Sequence, residues 1–84
     1  MAALSSLMNI GKVIERKLKT VDISTAEELK ELGSKEAFKR LKTLYPDTCV
    51  VTFYSLEGAI TDTEYNKLPQ EAKQEIQEFY GTLE

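Results

Sequence analysis

Apolar residues in this 84-residue chain recur three and four positions apart, in short runs that Gly33, Pro46 and Pro69 cut off. Because 3.6 residues complete a helical turn, such spacing lines them along one helix face. Ile10, Val13, Ile14 and Leu18 share a face, with Lys12, Glu15, Arg16 and Lys19 opposite, which predicts an amphipathic helix over 10–19. Thr25 followed by Glu28 makes a capping-box pattern, whose hydroxyl and carboxylate satisfy free backbone donors of a first turn. A helix over 26–32 follows from it, ended by Gly33. Ser34 is then the expected cap of a third helix, whose Ala37, Phe38, Leu41 and Leu44 keep the 3.6-residue period. Pro46, which disfavours helical geometry at Tyr45, stops it.

The run from Thr48 to Tyr54 is rich in β-branched and aromatic residues, and propensity alone favours a strand there. Cys49, Phe53, Leu56 and Ile60 nevertheless keep helical spacing, Asp47 is available as an N-cap, and a lone strand would have no partner. The expectation is therefore a mostly buried helix over 48–60. Pro69 at a first helical position opens the last helix, with Ala72, Ile76, Phe79, Tyr80 and Leu83 on one face. With a helical turn near Leu4 to Met8, the fold expected is all-α: a single domain over 1–84 formed by a compact bundle of about five short helices.

Function classes narrow quickly. Hydrophobic residues make up 42% of the chain and charged ones 30%, a balance that supports a packed core and argues against disorder. No segment approaches the roughly 20 apolar residues that cross a bilayer. The start Met1-Ala2-Ala3-Leu4 has no basic leader, so no membrane role and a cytoplasmic location are expected. There is no histidine, and Cys49 stands alone, which removes the commonest general base and metal ligand. No glycine-rich phosphate loop precedes a lysine, so no enzyme activity, cofactor or metal is expected. The net charge of −3 conceals a division: residues 1–45 sum to +3 and residues 46–84 to −6. A basic half of this kind can serve a polyanion that the whole-chain charge would repel.

The stretch Leu7-Met8-Asn9-Ile10-Gly11-Lys12 through Leu18 resembles a helix-hairpin-helix element, with Asn9-Ile10-Gly11 as its loop. Asn9 stands at the usual first glycine, and asparagine is the non-glycine residue that most readily takes positive φ. Asp22-Ile23-Ser24-Thr25, leading to Leu29 and Leu32-Gly33, is similar to the continuation common after such hairpins, with Asp22 in place of a glycine. The order of these pieces, together with Ala37-Phe38-Lys39-Arg40-Leu41-Lys42, Leu56-Glu57-Gly58-Ala59-Ile60 and Leu68-Pro69, resembles the C-terminal domain of the TfoX (Sxy) competence-regulator family. Met8 and Tyr65 depart from the proline and tryptophan common at those places. The resemblance implies a helical domain linked to control of DNA-uptake genes, here without the family's N-terminal companion.

The sharpest candidate site is a phosphate-binding hairpin made by Asn9, Gly11, Lys12 and Arg16. Amides of Gly11 and Lys12 at a helix N-terminus favour a phosphate oxygen, and Lys12 and Arg16 add charge-assisted contacts. Binding to a nucleic-acid backbone would then be weak, sequence-independent and salt-sensitive. The alternative is a protein-interaction module, or a homodimer using part of the last helix, with no nucleic-acid contact. Cys49 is expected to be an inert core thiol, and Glu57 to accept a backbone N–H from a neighbouring turn as an architectural group.

Overall fold

The computed structural model describes residues 3–83. A 3-10 turn at Leu4–Ser6 leads through a loop to α1 (Lys12–Lys19), α2 (Ala26–Leu32), α3 (Ser34–Leu44) and α4 (Val50–Thr61). A second 3-10 turn, Tyr65–Lys67, precedes α5 (Gln70–Thr82). No strand runs through the described residues; an isolated antiparallel bridge joins Ala3 to Thr25. The five-helix all-α reading therefore holds, including the helix over the β-prone run at 50–61. Phe53, Leu56 and Ala59 are buried there, and their common contact with the rest of the core outweighs intrinsic strand preference.

Helices α3 and α4 form the centre, with α1 packed on α3 and α5 on α4. Phe38 of α3 stacks on Phe53 of α4 with ring centroids 4.5 Å apart. Phe79 meets Phe53 edge-on at 5.8 Å, and Tyr80 tilts against Phe38 at 5.7 Å, so α5 closes the aromatic cluster. Leu4, Leu18, Ile23, Leu29, Leu41 and Ile76 complete a continuous core.

Local chemistry explains most element ends. Glu28 N–H donates to Thr25 Oγ1 (3.2 Å) while Glu28 Oε1 accepts the Ser24 N–H (3.2 Å), so the capping box forms, with its carboxylate reaching one residue further back than in the standard pattern. Gly33 adopts φ 91° and serves both as C-cap of α2 and N-cap of α3, a conformation that side chains resist. Ser34 is consequently inside α3 and does not cap it; its hydroxyl donates to Glu57 Oε1 at 2.6 Å. Glu57 is thus an interhelical acceptor, but its donor is a hydroxyl and not the backbone N–H expected.

Other expectations require correction. α1 begins at Lys12, and Ile10 is buried from the preceding loop. Only Ile14 and Leu18 carry the two-turn helix onto α3, leaving Val13 61% exposed. Pro69 is the N-cap of α5 and not its first helical residue. Asp47 does not cap α4. Thr48 occupies the buried place, donating from its N–H (3.0 Å) and hydroxyl (2.6 Å) to the Tyr45 carbonyl, and this turn moves the helix start to Val50. Cys49 becomes the N-cap residue and is exposed, so it is not a core thiol.

Candidate nucleic-acid interface

The hairpin is built on a single left-handed residue. Asn9 has φ 71°, as its place in the loop required, and Asp22 after α1 has φ 67°. The Asn9 side chain is bound on both sides: Nδ2 donates to Thr63 O (2.9 Å) and Oδ1 accepts the Tyr65 N–H (3.2 Å). Its amide is therefore spent within the fold, and Asn9 shapes the loop while lying outside the set of free donors. The first arm of the hairpin is the 3-10 turn at Leu4–Ser6, tied to α1 by the Ser5 N–H donating to Glu15 Oε2 (3.0 Å).

Gly58 completes this lock and was not singled out by sequence reasoning. A Cβ there would overlap the Thr63 carbonyl oxygen and the Asn9 side-chain amide, so α4, the loop after it and the hairpin meet at a point with no room for a methyl group. The available signal was a glycine in the interior of a helix, which costs about 1 kcal/mol relative to alanine unless packing requires it.

Beyond the buried Ile10 the chain opens to solvent. Gly11 is the N-cap of α1 with φ −91°, an ordinary value, and a Cβ would meet nothing within 4 Å. Neither sterics nor backbone strain inside the fold calls for glycine here. Among the described residues no acceptor takes the amides of Gly11, Lys12 or Val13, and no side chain caps the helix. Lys12, Arg16 and Lys19 follow at i, i+4 and i+7 on the same exposed face, and none joins an ion pair among the described residues. Lys17 turns elsewhere, its ammonium lying 5.0 Å from the centroid of the Tyr45 ring. Free backbone donors, the positive end of α1 and the side chains of Lys12 and Arg16 thus share one end of the helix, where the carboxylate of Glu15 accepts the Ser5 N–H, while Lys19 stands at the other end.

Cys49 occupies a separate cleft of about 200 Å³, lined also by Ile14, Lys17, Leu41, Asp47, Thr48 and Thr52. Its thiol sits below the ordinary value of 9.0, chiefly because the Thr52 amide at the start of α4 favours the thiolate, with burial opposing. No helix of the described residues is long and apolar enough to cross a membrane, and these residues contain no group of acidic, cysteine or histidine side chains suited to a metal ion.

These features define a five-helix domain whose N-terminal half is helix-hairpin-helix-like. The chain belongs to the TfoX C-terminal domain family, whose sequence profile matches residues 1–80. It is similar to an uncharacterized protein from Listeria monocytogenes solved in a triclinic crystal form, at 41% identity and a TM-score of 0.95, covering 98% of this chain and 93% of that one. A protein of unknown function from the same organism, in a tetragonal form, matches at 41% identity and a TM-score of 0.92, covering 95% and 99%. No curated protein matches the chain significantly.

Proposed function

We propose that this domain is a non-enzymatic regulatory module that grips a nucleic-acid backbone in the cytoplasm through the N-terminus of α1. The observation that carries the reading is the open Gly11-Lys12 amide pair, beside which Lys12 and Arg16 stand exposed and, among the described residues, free of ion pairs. A phosphate oxygen at that point accepts the backbone donors and sits between the side-chain cations, and the bare Gly11 Cα lets a phosphate approach closely. Nothing in this arrangement reaches a base edge, so affinity is independent of sequence. Family membership supports a regulatory role, and the absence of histidine from the chain supports binding over catalysis.

The test is a fluorescence-anisotropy titration of a labelled duplex. Two or three phosphate contacts predict a loss of about 10- to 40-fold in affinity between about 50 and about 200 mM salt. Lys12→Ala with Arg16→Ala removes most binding without changing the fold, and Gly11→Ala weakens it by crowding the phosphate. No binding at low salt, or binding indifferent to these substitutions, overturns the proposal.

A further inference from the structure

The two outer helices carry matched stripes of opposite charge. On α1, Lys12, Arg16 and Lys19 stand at i, i+4 and i+7; on α5, Glu71, Glu75 and Glu78 stand at the same spacing. All six side chains are exposed, and none forms an ion pair among the described residues. Each stripe extends about 10 Å along its helix. The helices flank opposite members of the central pair, α1 on α3 and α5 on α4, and no ion pair joins the two stripes among the described residues.

The acidic stripe is the more strained of the two: on α1 Glu15 lies three residues from Lys12 and four from Lys19, whereas within α5 no cation stands three or four residues from Glu71, Glu75 or Glu78. Like charges three and four residues apart repel along a helix by a few tenths of a kcal/mol per pair. Lys12 lies at the positive end of α1 and Glu78 near the negative end of α5, whose last turn has no basic residue to offset it. An oppositely charged stripe of equal length relieves this repulsion, and this chain presents one on α1.

We infer that a second copy of this chain docks its acidic α5 stripe against the basic α1 stripe of the first. Exposed ion pairs are individually weak and screened by salt, so the association is a low-affinity, ionic-strength-dependent one. Because Lys12 and Arg16 belong to both surfaces, the docked copy covers the phosphate patch, and a polyanion displaces it. Self-association needs no nucleic acid, so this inference and the functional proposal fail separately.

Analytical ultracentrifugation of the whole chain tests it. At about 20 mM salt, the weight-average mass rises above 9.5 kDa as protein approaches about 1 mM, and returns to monomer at about 500 mM salt. Reversing α1 (Lys12→Glu, Arg16→Glu, Lys19→Glu) or α5 (Glu71→Lys, Glu75→Lys, Glu78→Lys) abolishes association of each variant alone, while an equimolar mixture of the two associates. Should either reversal unfold the chain, Arg16→Gln and Glu75→Gln each weaken wild-type association by about two- to fivefold. A strict monomer under the low-salt conditions, association untouched by these substitutions, or two folded reversed variants that stay monomeric when mixed would overturn the inference.

Discussion

Alanine at position 58 sets helix propensity against packing. Inside α4, alanine is favoured over glycine by about 1 kcal/mol on propensity alone. The new Cβ, however, falls on the Thr63 carbonyl oxygen, which is backbone, and on the Asn9 side-chain amide, which is held at both ends. Relief requires moving the 62–65 segment or the hairpin, at the expense of the Asn9 Nδ2–H to Thr63 O bond (2.9 Å) and the Thr63 N–H to Gly58 O bond (2.8 Å). Each such bond contributes about 1 kcal/mol and the overpacking itself costs about 1–3 kcal/mol. After the propensity gain is subtracted, Gly58→Ala destabilises by about 2–4 kcal/mol, or upwards of about 10 °C in Tm for a chain of this size. Thermal unfolding followed by far-UV circular dichroism measures it, and a urea melt with unchanged slope confirms that the effect is one of stability. A Tm equal to or above that of the wild type would mean that the hairpin yields freely, and the account of the Asn9–Gly58–Thr63 junction would be wrong.

Three further outcomes follow from the same structure. Asn9→Ala loses both side-chain bonds and places a Cβ residue at positive φ without compensation, so it destabilises by about 2–3 kcal/mol, whereas Asn9→Gly keeps the backbone and costs less; the reverse order in Tm would refute the loop account. Glu57→Gln replaces a charged acceptor of the Ser34 hydroxyl by a neutral one and lowers stability by about 1 kcal/mol, read as a drop of about 5 °C; an unchanged Tm would show the bond to be idle. Cys49, exposed and favoured as thiolate by the Thr52 amide, alkylates with a pH midpoint below that of an unstructured cysteine peptide, and urea returns the midpoint to the peptide's value. A native midpoint at or above the peptide's would contradict the assignment.

What could be read in advance divides along the range of the interaction. Helical periodicity located α1, α3, α4 and α5, because Phe38, Leu41, Phe53, Leu56 and Ile76 each have neighbours on the same face that must share one core, and the Thr25–Glu28 capping box located α2. Asn9 was legible as a left-handed residue because the conformation is a property of the residue and its immediate loop. Ser34 was not, since its hydroxyl could cap α3 or reach Glu57, and only the packing of α3 on α4 decides between them. Asp47 and Cys49 failed for a related reason: the Thr48 turn onto Tyr45 displaced the start of α4 and rotated the cysteine outward. Val13 kept helical spacing but lay on a helix too short to bury more than Ile14 and Leu18. The candidate patch was legible in residue type, at Gly11, Lys12 and Arg16. The assignment of Asn9 to the fold's interior depended on Thr63 and Tyr65, more than fifty positions away.

The central claim is that the N-terminus of α1 receives a phosphate. The most direct measurement is a two-dimensional ¹H–¹⁵N spectrum of the labelled chain, titrated with a short DNA duplex at low salt. The account predicts that the largest shifts fall on the Gly11, Lys12 and Val13 amides and the Arg16 side chain, fading as salt is raised. Shifts centred elsewhere, or none at saturating duplex, would contradict it.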